Sequence, residues 1–161
     1  KGHDYITVKE ERTHIESYLE IQQFRYQDIL DYEIRMDEEI YGYIIPKLTL
    51  QPLVENALYH GIKNKRGKGK ILITGKKQGD KIIFQVIDNG KGMTEEELNS
   101  LRKKMAGTDT GNEEKGFGVS NVNQRIKYYY GDEYGVFFES KENEGTNATI
   151  IIAAKNIQPP S

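Results

Sequence analysis

Leu50-Gln51-Pro52-Leu53-Val54-Glu55-Asn56-Ala57-Leu58-Tyr59-His60-Gly61 sets Leu50, Leu53, Val54, Ala57 and Leu58 on one side of a helix. Pro46 stands just before it and Gly61 is a stop signal, so the pattern predicts a helix over 47–60. Asn56 falls between Val54 and Ala57, close to the apolar stripe, and a half-buried Asn needs partners. Its amide oxygen suits Mg2+, which takes few protein ligands and draws most of its charge compensation from phosphates and waters. The plainer reading is a core helix whose polar residues face solvent.

Working outward, an amphipathic helix is expected from Val8 to about Gln27, with Ile15, Tyr18, Leu19, Ile21, Phe24 and Tyr26 as its apolar face. Alternation over 29–36 reads as a half-buried strand. Beyond the quoted stretch, Lys63, Lys65, Arg66, Lys68 and Lys70 crowd a loop that has a plain reading as a solvated turn. Runs 71–76 and 81–87 read as strands joined by Gln78-Gly79-Asp80. Thr94-Glu95-Glu96-Glu97 offers a capping box for a helix ending near Met105. Residues 106–115 lack apolar periodicity and are expected to form a mobile lid. Helix over 118–130 and strands over 136–139 and 146–153 complete an α+β pattern without a strict βαβ rhythm.

Composition narrows the function classes. The chain has 161 residues, 30% of them charged, with 23 Lys plus Arg against 25 Asp plus Glu. A net charge of −2 argues against bulk electrostatic binding of nucleic acid. There is no cysteine, which excludes disulfide scaffolds, thiolate metal sites and cysteine nucleophiles. No apolar run approaches the roughly 20 residues of a membrane span.

Two further motifs carry candidate chemistry. Asp88-Asn89-Gly90-Lys91-Gly92-Met93 closes an apolar strand, and by itself Asn-Gly there reads as a turn. A carboxylate at a strand end can also accept from an exocyclic amine such as that of adenine, with Gly90 and Gly92 letting backbone approach a flat ring. Gly116-Phe117-Gly118-Val119-Ser120-Asn121 opens a helix after the lid. It reads either as a glycine hinge or as an anion cradle at a helix N-terminus. Residues 61–69 resemble a P-loop only in composition, because five residues separate the first two glycines and Gly69 stands where Ser or Thr is needed.

Taken together and in this order, the three motifs resemble the ATP-binding boxes of the GHKL superfamily (gyrase, Hsp90, histidine kinases, MutL). The spacings, 32 residues from Asn56 to Asp88 and 28 from Asp88 to Gly116, resemble a compact histidine-kinase catalytic domain. More narrowly, Glu16-Ser17-Tyr18-Leu19-Glu20-Ile21-Gln22-Gln23-Phe24-Arg25-Tyr26 and the run from Ile45-Pro46 to Asn56-Ala57 resemble the LytS/YesM-like sensor histidine kinases.

The resemblance implies an α+β fold, the two-layer Bergerat α/β sandwich, with a mixed sheet and helices on one face. It implies 1–30 as an N-terminal helical segment leading from a dimerisation and phosphoacceptor region, 31–155 as the catalytic ATP-binding domain, and 156–161 as a frayed tail. ATP and Mg2+ are the implied cofactors. Asn56 would hold Mg2+, Asp88 would bind the adenine amine, Gly90 and Gly92 would shape the base pocket, and Met93 would belong to the ATP site. Gly116 and Gly118 would contact phosphates, Phe117 and Val119 would belong to the same ATP site, Thr146 would support Asp88, and His60 would lie beside the adenine, unless it is a packed core histidine. Tyr59 stands where the family often has Lys or Arg for phosphate, and Lys63 or Lys65 could substitute.

The implied partners are the phosphoacceptor helix of the same kinase, in a homodimer, and a response regulator. The implied setting is a cytoplasmic domain of an integral membrane protein. The chain's own histidines, His3, His14 and His60, match no phosphoacceptor motif, so no catalytic residue is assigned within it. Two alternatives remain at this point, a GHKL ATPase clamp and a nucleotide-sensing module without catalysis. Against the clamp stands Pro52, four residues before Asn56, where those enzymes carry a water-activating Glu.

Overall fold

The computed structural model describes residues 4–26, 29–62, 67–107 and 117–157. Helix α1 spans Val8–Arg25, and Thr7 caps it in a reciprocal box with Glu10. The strand expected next is β2, Leu30–Met36. Two three-residue strands, β1 (Tyr5–Thr7) and β3 (Ile44–Pro46), pair antiparallel. Both went unread because three residues cannot display an alternation.

The second helix differs most from expectation. Its α-helical part, α2, is only Gln51–Asn56, and the coil then widens to a π-helix over Ala57–Ile62. Residues 47–50 are a turn in which Leu48 has φ 62°, a left-handed conformation that no helix accepts. Strands β4 (Gly69–Gln78) and β5 (Lys81–Asp88) form the expected hairpin. Helix α3 (Glu95–Met105) starts on the Thr94/Glu97 capping box. Helix α4 (Phe117–Tyr130) and strands β6 (Gly135–Lys141) and β7 (Gly145–Ala153) follow.

The five-stranded sheet has the order β2-β4-β5-β7-β6; β2 is parallel to β4 and the other pairs are antiparallel. Ile71, Ile73, Ile82, Phe84, Ile150 and Ile152 point to one face, where Ile15 and Leu19 of α1, Leu53 and Val54 of α2, and Val122 and Ile126 of α4 cover them. The alternate residues Leu72, Thr74, Gln85 and Thr149 are half-buried, and Phe137 is exposed. This is the two-layer arrangement, with helices on one face of a mixed sheet. Two residues of the expected frayed end are in fact docked: the Ile44 amide donates to Asn156 Oδ1 (2.8 Å), and Ile157 is buried. Among the described residues no helix is long and apolar enough to cross a membrane.

Candidate functional site

The inward alternation of β5, Ile82, Phe84, Val86, Asp88, ends by burying a carboxylate. Asp88 is 6% exposed, and its Oδ1 accepts the Gly90 amide at 2.8 Å. The Thr146 backbone amide donates to the same carboxylate. Burial is the larger influence and pushes the Asp88 carboxyl up from 3.8 to about 6, against the pull of those two amides.

The widened turn after α2 lies flush against this strand end. A Cβ on Gly61 would sit 2.6 Å from Asp88 Oδ1, and one on Gly90 would overlap the Gly61 backbone. Any larger side chain at either place would push the two elements apart. Gly92 has φ 68°, and a Cβ there would overlap the Lys141 carbonyl. The Met93 amide donates to Ser140 Oγ at 2.9 Å, and that hydroxyl also lies 2.9 Å from Thr146 Oγ1 and from the Gly145 carbonyl.

A cavity of about 260 Å3 opens over Asp88. Asn56, His60 and Gly61 line it from the α2 side, Lys91, Gly92 and Met93 from the turn after β5, and Thr146 from β7. The structure thus brings Asn56, His60, Asp88, Gly92, Met93 and Thr146 to one place. His60 is exposed and lines the cavity, so it is not a packed core histidine. Gly90 stands behind Asp88 against Gly61. Phe117 opens α4, Gly118 faces Pro52, and the Val119 side chain is buried in the core rather than in the cavity wall. Lys63, Lys65, Gly116 and all of the expected lid except Ala106 and Gly107 lie outside the described residues.

Glu97, Ser100, Leu101 and Lys104 of α3 supply the remaining wall. Sequence reasoning missed them, although the spacing i, i+3, i+4, i+7 marks one helix face. Ser140 was missed as well, and nothing in the sequence singles it out.

Chemically, the site offers one buried acceptor for an amine and a half-buried amide in the cavity lining. Among the described residues there is no cluster of three or more His, Asp or Glu able to hold a metal. Asn56 therefore fits a metal that brings its other ligands with it, as Mg2+ does on a nucleotide's phosphates. Two carboxylates line the cavity, and the second, Glu97, is committed to the Thr94 amide (2.9 Å). Glu55 turns away, accepting from Gln51 Nε2 at 3.1 Å.

Residues 46–156 match the family described as Histidine kinase-, DNA gyrase B-, and HSP90-like ATPase. The chain is 34% identical over 153 residues to the sensor histidine kinase YesM of Bacillus subtilis, covering 95% of this chain and 25% of YesM. It is 29% identical to the sensor protein LytS of Staphylococcus saprophyticus, again over 95% of this chain and 25% of the relative. It thus spans about a quarter of the length of both. The catalytic domain of the histidine kinase ThkA, in a nucleotide-free form, superposes with a TM-score of 0.70 at 18% identity, covering 94% of this chain and 97% of that one. ThkA has also been crystallised with the response regulator protein TrrA; that kinase chain gives a TM-score of 0.65 at 20% identity, over 94% of this chain and 41% of its own. The motif spacing, the sheet order and the matched span agree, and the chain belongs to the histidine kinase-, DNA gyrase B- and HSP90-like ATPase family, where it stands with the catalytic domains of YesM- and LytS-like sensor kinases.

Proposed function

We propose that this chain binds ATP with Mg2+ and presents the γ-phosphate to a histidine on a phosphoacceptor helix of the same kinase, in a homodimer, for relay to a response regulator. The observation that supports this best is Asp88, a buried carboxylate whose partners among the described residues are amide donors, in a cavity that Asn56 also lines. In this reading Asp88 accepts the adenine amine, Gly92 and Met93 floor the ring, and His60 flanks it. Thr146 fixes Asp88 through its backbone amide, Phe117, Gly118 and Val119 meet the phosphates through the start of α4, and Gly116 is assigned to the phosphates with them. Lys63 is a further phosphate contact.

Asn56 would hold Mg2+, which supplies charge neutralisation on the phosphates when bound. In the transfer, a histidine nitrogen bonds to the γ-phosphorus while its bond to the bridging oxygen breaks, and ADP leaves. The protein's share is placement, which carries most of phosphoryl-transfer catalysis. The carboxylates near Asn56 favour transfer over hydrolysis: Glu55 faces Gln51, Glu97 caps α3, and Pro52 occupies the base position of an ATPase clamp. ThkA's crystallisation with a response regulator is in keeping with such a relay. Attachment to a membrane would come through segments outside this chain.

Radiolabelled ATP tests the proposal. The chain alone should bind ATP, hydrolyse it slowly and label none of its histidines. A longer protein carrying the phosphoacceptor segment should become labelled with an acid-labile, base-stable phosphate. Rapid turnover by the chain alone would indicate an ATPase clamp, and no labelling of the longer protein would indicate a nucleotide-sensing module.

A further inference from the structure

Glu11 is a charged residue in the first turns of α1, and it is completely buried. Its partners are backbone groups of the turn that enters α2. The Leu48 amide donates to Oε1 at 3.2 Å, and the Leu50 and Gln51 amides donate to Oε2 at 2.8 and 3.3 Å. Leu50, at the N-cap position of α2, supplies no side-chain acceptor of its own, so Glu11 fills that role from another helix.

The carbonyls of the same turn are held from the opposite side. Arg125 of α4 donates through Nη1 to the Lys47 oxygen and through Nη2 to the Leu48 oxygen, each at 2.7 Å. An anion on the amides and a cation on the carbonyls thus fix a turn whose Leu48 is left-handed. The α-helical stretch that follows is six residues long, and its last residue is Asn56. Just beyond it the helix widens to π geometry.

From this geometry we infer that Glu11 is a positioning residue for the nucleotide site: by clamping residues 48–51 it sets the location of Asn56, and a displacement of α1 is carried to the phosphate side of the cavity. Gln51–Asn56 acts as a short lever, held at the Glu11 end and placed over the cavity at the Asn56 end. Arg125 ties the same turn to α4, whose Gly118 packs beside Pro52, so both phosphate-side elements refer to one clamp. The site served is the one proposed above, and in that respect the inference rests on the nucleotide reading.

Amide hydrogen exchange on Glu11→Ala and Glu11→Gln tests it without any ligand. Exchange should accelerate at least tenfold at Leu50 and Gln51 in Glu11→Ala and at least threefold through Val54–Ile62, with Ile82–Val86 of β5 unchanged. Glu11→Gln, which keeps one acceptor oxygen and the same shape, should lie between wild type and Glu11→Ala. Acceleration confined to 48–51, or spread equally into β5, would overturn the inference, since the first shows no transmission and the second only global loosening. A second readout is nucleotide affinity: Glu11→Ala should weaken Mg-ATP about tenfold and metal-free adenosine less than twofold. Equal losses for the two ligands would also overturn it. If wild type binds no ATP, the nucleotide reading fails, and the exchange result still decides whether Glu11 positions Asn56.

Discussion

Asp88 sits at the end of a strand paired on both sides, opposite Ile71 of β4 and Thr146 of β7, and its neighbours at Gly61 and Gly90 leave no room for a methyl group. Asn56 sits at the last residue of a six-residue α-helix, half-buried, held by hydrogen bonds made five and more residues away. In the proposed reading, the base end of the cavity is therefore fixed by sheet register and close packing, the phosphate end by side-chain caps. Recognition of a flat base needs sub-ångström constancy, which a sheet provides. A phosphate and metal end must admit a ligand of changing charge, and a short capped helix can shift as a unit.

The strongest way to break this contrast is Asp88→Asn. Two amide donors converge on the carboxylate, the adenine amine would join them in the proposed reading, and an amide side chain has a single acceptor oxygen for all three. Losing a charge-assisted hydrogen bond costs about 1.5–3 kcal/mol, so ATP affinity should fall roughly ten- to a hundred-fold in calorimetry while the fold persists. Unchanged affinity would remove the base assignment.

The second expectation is a pH dependence confined to the base end. The folded value of Asp88, about 6, lies above the ordinary 3.8. Its proton therefore stabilises the unliganded domain fully below pH 3.8, and that contribution is lost as pH rises through 6. Binding of the amine needs the opposite form. Adenosine, which carries no titrating phosphate, should bind with constant affinity above about pH 7 and lose roughly tenfold per unit below pH 6. In Asp88→Asn the profile should be flat.

Asn56→Ala sharpens the comparison from the other end. Mg-ATP should weaken about tenfold, of the order of a lost hydrogen bond or metal contact, with metal-free ADP nearly unaffected. Equal losses would place Asn56 on the base rather than the metal. The smallest effect should come from Ser140→Ala. It frees the Met93 amide and Thr146 Oγ1, both only part-buried, and should cost about 1 kcal/mol of stability in urea unfolding and about threefold in adenosine affinity.

How much of this could be read from the residues follows the same division. The capping boxes at Thr7/Glu10 and Thr94/Glu97 are local, and the strands 30–36, 71–76 and 81–87 alternate over enough residues to show themselves. Asp88 and Asn56 could be singled out as candidates because glycines and an apolar stripe frame them, and the order and spacing of the three motifs joined them. The start of α2 was not, because apolar spacing from Lys47 onward is helical while the backbone there is decided by Glu11 and Arg125, distant in sequence. Nor was the widening at Ala57, since π geometry leaves no periodic mark over six residues. Glu11 itself reads as one more solvent charge on an amphipathic helix. Its burial depends on a turn 37 residues further along the chain.

The sheet's ends have a consequence for how copies of such a domain meet one another. β2 and β6 are its edges: on β6 the Val136 amide donates to Asn123 Oδ1 and the Phe138 carbonyl accepts from Arg102 Nη2, and on β2 the Leu30 carbonyl accepts from Gln23 Nε2. Asp31, Glu33 and Arg35 punctuate β2, and Glu139 and Lys141 occupy β6 beside the exposed Phe137. A second sheet approaching either edge would have to strip water from these charges before it gained a single strand pairing. The uncovered sheet face is thereby kept from becoming a seed for aggregation, and many copies crowded side by side can remain separate molecules.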